Sequence, residues 1–356
     1  MANSSGGLQN ISGNTFDPEP DSTSEKIFSS INIITGLIGL IGNFTVCLVT
    51  VRLKDQKVNM LIVTQAIVDL LASLVLVILT ITNIVSAVPT NAILGYLYCF
   101  LWQSRFILYF LFAVSTFNLV AISLERYVAV LHPILYANNL SRKKVFVLAA
   151  LAWVFGPIME VIHAIITVVE VQNGECAFHS WNETTKSAVG VLIFLWQFFI
   201  PCIIMGFCFT RIALELQKRG KRRKKMEIPT VSAAITTKAK GTAGNSGLKQ
   251  SAASSASMQT RNVTITLITV FAVYVICWST DNFLFLQYNL GGYIDFNGPL
   301  YGFAVTMAIL NSACNPIIYA FRYDQYRKEL KELFAGCNHN LCGVDSSRSA
   351  EKTTKL

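Results

Sequence analysis

The chain has 356 residues, 53% hydrophobic and 14% charged, with 29 Lys and Arg against 20 Asp and Glu for a formal net charge of +9. Soluble domains carry about a quarter charged residues, so this composition excludes an ordinary water-soluble domain. The basic excess sits in loops between apolar blocks, a membrane-topology bias that excludes nucleic-acid binding as its explanation.

Residues 1–26 are polar and carry Asn-x-Ser sequons at Asn3 and Asn10, which reads as a glycosylated tail. The start lacks the basic and apolar segments of a cleavable leader, so the first apolar block is expected to act as its own insertion signal. Seven blocks are long enough to cross a bilayer: 27–51, 60–87, 99–130, 145–169, 188–216, 263–288 and 299–321. The short alternating segments of a membrane barrel are absent. The expected fold is therefore all-α, a seven-helix transmembrane domain over 27–320.

Lys and Arg placement sets the orientation. Arg52, Lys54 and Lys57 follow block one, Arg142, Lys143 and Lys144 follow block three, and a dense basic run at 218–225 follows block five. The opposite side offers Lys26 and Lys186 among several carboxylates. The N-terminus is expected outside and the C-terminus inside.

The first block carries Gly42-Asn43, and the second places Asp69 near mid-membrane, where a carboxylate must meet polar partners or a cation. Candidate partners are Asn43, Ser115, Asn311, Ser312 and Asn315, an oxygen-rich set suited to a hydrated sodium ion. The third block reads as one helix from Cys99 to Val130, with Arg105 near one end and Glu125-Arg126-Tyr127 at the other. Cys99 to Arg126 then spans about 40 Å, a bilayer with its headgroup zones.

Block four adds Pro157, with Glu160 and His163 on a common face one turn apart. The following loop holds Cys176 and a third sequon at Asn182. Only Cys99 and Cys176 fall on the oxidising side, which implies a single bridge between them. Block five contains Pro201. The loop 218–260 begins basic, able to hold anionic lipid headgroups, and continues in Gly, Ser, Ala and Thr, which predicts disorder.

Block six centres on Cys277-Trp278, with Asp281 and Asn282 farther out, and block seven ends in Asn315-Pro316 and Tyr319. Residues 321–334 are amphipathic and predict a short helix on the inner leaflet. A cytoplasmic tail, 335–356, follows, with Cys337 and Cys342 as acylation candidates and a terminal Thr354-Lys355-Leu356 that suits a PDZ domain.

In their order, Gly42-Asn43, Asp69, Cys99, Glu125-Arg126-Tyr127, Trp153, Pro201, Cys277-Trp278 and Asn315-Pro316-x-x-Tyr319 make the chain resemble the rhodopsin-like (class A) G-protein-coupled receptors across 27–334. The resemblance implies a plasma-membrane receptor, not an enzyme, that couples an extracellular ligand to a heterotrimeric G protein, with arrestin as a further partner. It implies that Glu125 holds Arg126 at rest, that proton uptake by Glu125 frees the arginine for the G protein, and that Ile134 plugs into that partner. Trp278 would sense ligand occupancy, and Asn315, Pro316 and Tyr319 would rearrange as the sixth helix swings out. Asp69, Ser115, Asn311 and Asn315 match the family's sodium site, the one candidate cofactor.

Several positions depart from the family. Thr280 replaces the proline after Cys-Trp and is expected to bend the helix by back-bonding; Phe209 and Tyr274 exchange a hydroxyl relative to the usual pattern; Thr260 offers no acid to Arg126. Cys99 stands 27 positions before Arg126, a longer spacing than the family's usual one. An amine receptor's aspartate is replaced by Leu108, and the seventh block has no lysine for a retinal. The remaining outer polar set is Trp102, Arg105, Tyr109, Glu160, His163, Asp281 and Asn282. Arg105 either pairs with Glu160 or Asp281, or these charges meet an ionic ligand, a peptide in preference to a small amino-containing molecule. Ligand-independent signalling or scaffolding is the alternative reading; a secondary transporter would need repeated halves that are absent.

Overall fold

The computed structural model describes residues 22–53, 57–85, 88–172, 174–180, 182–233, 246–296 and 298–342. The sequons at Asn3 and Asn10 and the terminal Thr354-Lys355-Leu356 lie outside them, as do the side chains of Cys337 and Cys342. The helices are α1 (Ser22–Arg52), α2 (Lys57–Val85), α3 (Ala92–Leu97), α4 (Phe106–Leu131), α5 (Pro133–Asn139), α6 (Arg142–Phe155) and α7 (Ile158–Ile166). After strands β1 (Thr167–Gln172) and β2 (Glu175–Ser180) come α8 (Glu183–Phe194), α9 (Ile200–Ala233), α10 (Ser246–Asn289), α11 (Pro299–Arg322) and α12 (Asp324–Cys342). Together they supply seven stretches long and apolar enough to cross a membrane.

The bundle is turned inside out relative to a soluble one. Ile34, Ile41 and Val51 face outward on α1, whereas Asn43, Asp69 and Asn118 are fully buried. Packing by small residues explains the first motif. A Cβ on Gly42 would lie 2.8 Å from the Pro316 ring, so only glycine lets α1 approach α11 this closely. Pro316 lacks an N–H and withdraws the helix hydrogen bond from the Ser312 carbonyl. Asn43 Nδ2 donates to that carbonyl at 3.1 Å and to Gly39 O at 2.9 Å. Gly42-Asn43 is thus the fitting for Asn315-Pro316.

Pro201 is met in the same way. It frees the Gln197 carbonyl, which accepts from the Tyr274 hydroxyl of α10 at 2.9 Å. The tyrosine that departs from the family pattern therefore satisfies a break in the neighbouring helix. In α10 itself the back-bond is made by Ser279 to Ile276 O at 3.1 Å, not by Thr280. The helix runs without a break through Trp278 to Asn289.

The third span is not the single helix expected over 99–130. After α3, Tyr98–Gln103 forms a π-helical turn, with the Ser104 N–H donating to Cys99 O at 3.0 Å. Arg105 then steps to φ 57°, the left-handed region, before α4 begins. A π turn holds more residues per turn than an α turn, and the left-handed step restarts the helix. The long Cys99–Arg126 spacing is absorbed there, and the Cys99–Cys176 disulfide still forms, with Cα atoms 5.5 Å apart. It pins a hairpin that block reading missed: β1 pairs antiparallel with β2, Val171 opposite Cys176, with Gly174 at φ 81° in the turn.

At the other end, α9 and α10 extend into the 218–260 loop as far as Ala233 and from Ser246, and α12 follows the seventh span. We expect Gly42→Ala to lower stability by about 1–3 kcal/mol, because the proline ring opposite cannot rotate away. Gly220→Ala, with nothing within 4 Å, is expected to be neutral; thermal melting of the detergent-purified protein compares the two.

Candidate functional site

Polar side chains gather in three layers along the bundle. The first is a cavity of about 580 Å³ beneath the hairpin, between α4, α7, α8, α10 and α11. Of the expected ligand set, Arg105, Tyr109, Glu160, His163, Asp281 and Asn282 line it. Trp102 does not: its indole N–H donates to Thr82 Oγ1 at 2.8 Å, tying the π turn to α2. Lining residues that sequence reading missed include Gln197, Lys186, Tyr288 and Tyr301.

The π turn Leu195–Phe199 presents Gln197 to the cavity, where its Nε2 donates to Glu160 Oε1 at 2.6 Å. Lys186 lies 4.2 Å from the Tyr288 ring centre and 3.5 Å from Glu183 Oε2. Arg105 makes no ion pair with Glu160 or with Asp281, so both opposite charges face the cavity unjoined. Arg105 is the only described non-glycine residue with positive φ, a strained backbone of the sort that persists where surrounding structure enforces it. Trp278 closes the floor, edge-on to Phe112 at 5.2 Å.

The second layer surrounds Asp69. Its Oδ1 accepts from Ser115 Oγ at 2.9 Å and its Oδ2 from Asn315 Nδ2 at 2.8 Å. Gln65, which sequence reading passed over, adds Nε2 contacts to Oδ1 at 3.2 Å and to Oδ2 at 3.1 Å. Asn311 is buried nearby with its Oδ1 unpartnered. Asn43 belongs to the α11 fitting rather than to this carboxylate.

The third layer closes the opposite end. Arg126 Nε and Nη2 each meet a Glu125 carboxylate oxygen at 2.5 Å, a two-pronged pair buried at 6% and 2% exposure. Tyr136 of α5 donates to Glu125 Oε1 at 2.7 Å, and Arg126 Nη2 reaches its hydroxyl at 3.4 Å. Burial and the neighbouring Glu125 push the Tyr136 phenol up, so it stays a protonated donor at neutral pH. Ile134 stands 77% exposed beside it, and Tyr127 packs on His132 and Phe207. Tyr319 is buried against Tyr326 with its hydroxyl unpartnered. Where Thr260 offers no acid, Asn262 of α10 donates to Asp324 of α12, which also pairs with Arg327.

This geometry gives one bundle with a mixed-charge cavity at the disulfide end and a sequestered guanidinium at the other. The family model described as 7 transmembrane receptor (rhodopsin family) matches residues 42–319. The chain is 25% identical over 341 residues to "Rhodopsin, GQ-coupled" of Mizuhopecten yessoensis, covering 91% of this chain and 64% of that protein. It is 26% identical over 339 residues to melatonin receptor type 1A of Phodopus sungorus, covering 89% and 83%. To galanin receptor type 1 of Rattus norvegicus it is 27% identical over 344 residues, covering 90% and 88%.

Replacing Arg105 by Gly removes the Cβ clash of a left-handed residue, about 1–2 kcal/mol. We expect Arg105→Gly to melt at or above the wild type and Arg105→Val to melt below it, measured by thermal unfolding of the purified protein.

Proposed function

The chain belongs to the rhodopsin family of seven-transmembrane receptors, and from that premise we propose that its cavity takes a ligand bearing both an amine and an anionic group, a peptide in preference to a smaller molecule. As a member of this family it is a multi-pass plasma-membrane protein, not an enzyme, and signals through G proteins. The observation that carries the ligand reading is the unjoined pair Arg105 and Asp281, opposite charges facing one cavity above Trp278. Opposite charges that share a cavity without touching favour a ligand that supplies a counter-ion to each. Glu160, held by Gln197, and Lys186 extend the same mixed polarity toward a longer peptide.

The disulfide end faces outward in this reading and the Arg126 end meets the G protein. Ligand and G protein then favour one helix packing over another, each strengthening the other's binding by the same factor. The resting packing is held at Arg126 by Glu125 and Tyr136, and at the base of α10 by Asn262 with Asp324. Release of these contacts exposes the guanidinium beside the already exposed Ile134.

The test is a peptide and amine panel on cells expressing the chain, read by G-protein activation. For an active ligand, Asp281→Asn and Arg105→Gln are each expected to lower potency at least about thirtyfold, equivalent to about 2 kcal/mol. Unchanged potency in both variants overturns the ligand reading. Arg126→Ala is expected to abolish signalling with surface expression retained, and Tyr136→Phe to raise the ligand-independent signal, measured as nucleotide exchange without agonist.

A further inference from the structure

At mid-bundle, Asp69 is, among the described residues, the one carboxylate in a set of buried amides and hydroxyls, and donors hold both of its oxygens. An ionised carboxylate offers about four lone-pair positions. Ser115 donates to Oδ1 and Asn315 to Oδ2, and the Gln65 amide nitrogen lies 3.2 Å from Oδ1 and 3.1 Å from Oδ2, bridging the two. Gln65 sits four residues before Asp69 on α2, so the two share a helix face. Its amide nitrogen also lies 2.5 Å from Ser115 Oγ. Gln65 and Asp69 are fully buried, and Ser115 is 2% exposed.

The orientation of the Gln65 amide follows from the groups around it. Asn118 Nδ2 lies 3.1 Å from the Leu61 backbone carbonyl, which can only accept, so Asn118 presents nitrogen there. The same nitrogen lies 2.8 Å from Gln65 Oε1, so Gln65 presents oxygen to Asn118. The opposite end of the amide, with its two N–H bonds, therefore faces Asp69 and Ser115. Asn118 is itself fully buried, so the side chain is gripped from both ends without exchange with solvent.

This donor set does not fit sodium. A hard cation needs oxygen lone pairs turned toward it, and here the Gln65 amide nitrogen fills the space that both Asp69 oxygens and Ser115 Oγ face. An ion placed against the carboxylate would face the positive ends of the Gln65 and Asn315 amides. Asn311 Oδ1, Ser312 Oγ and Asn315 Oδ1 remain unpartnered, but they are neutral oxygens, and the carboxylate edge between Oδ1 and Oδ2 is already taken by the Gln65 nitrogen. We propose that the amide of Gln65 occupies the place of a cation at the centre of this bundle, joining α2 to α4 while Asn315 joins α11, so that packing around Asp69 is independent of sodium. The ion's role is built into the chain, as a neutral donor that cannot dissociate.

The experiment is thermal melting of the full chain, purified in detergent, as sodium chloride replaces choline chloride at constant ionic strength. The wild type is expected to melt at one temperature across the series. Gln65→Leu, similar in size but without donors, leaves the carboxylate short of partners and opens its lone pairs. It is expected to melt below the wild type in choline and to gain a saturable rise with sodium, which Asp69→Asn in the same background removes. A wild-type melting temperature that rises saturably with sodium, and loses that rise in Asp69→Asn, overturns the proposal. That comparison stands whether or not Gln65→Leu folds, and it requires no agonist, so it is independent of the ligand reading.

Discussion

The structure depends on one constraint: within a membrane-spanning bundle, a backbone carbonyl that loses its helical donor needs another, and here a neighbouring helix supplies it. Pro316 and Pro201 each create that demand, and a side chain meets it in both cases. Asn43 serves the Ser312 carbonyl released by Pro316, and Tyr274 serves the Gln197 carbonyl released by Pro201. Each bond crosses between spans, so each broken ladder also fixes which helix lies beside it. The proline that deforms a helix and the polar residue that repairs it act as one unit. Tyr274 shows why its hydroxyl is present: a phenylalanine would leave the carbonyl at the π turn bare.

The same economy shapes the two ends. Beneath the hairpin, both π turns lie where the cavity needs an inward residue, Gln197 on one side and the approach to Arg105 on the other. At the far end the buried Glu125–Arg126 pair would be costly without full hydrogen bonding, and Tyr136 supplies a further donor from the short helix α5. The sixth helix lacks an acid at Thr260 and is fastened to α12 through Asn262 instead. Restraint of this end therefore comes from two separate contacts on two different helices.

Much of this was legible in residue order. The seven blocks, the Cys99–Cys176 bridge and the clustering of Asp69 with Ser115 and Asn315 follow from hydropathy, topology and the cost of a buried charge. The break at Arg105 was not, because a π turn inside an apolar stretch changes register without changing composition. The lengthened interval between Cys99 and Arg126 was its trace. The hairpin did carry a signal, Asn-Gly at 173–174 after a stretch rich in β-branched residues at 167–171, which a search for bilayer-length blocks passes over. Gln65 was visible as an amide four residues from Asp69, and only coordinates reveal which atoms it offers. Trp102 was grouped with the ligand set for its position, but the π turn rotates it onto Thr82.

The sixth span is 29 residues long, Arg261–Asn289, about 43 Å at α-helical rise, and carries no proline along that length. A jointed helix can bend at its middle and leave one half still. A stiff rod pivoting near Trp278 cannot: when its inner tip travels away from the axis, its outer tip, with Asp281 and Phe285, must lean toward it. The vestibule would then narrow over a guest as the opposite mouth widened, so a tilt that capture promoted would itself slow the guest's exit.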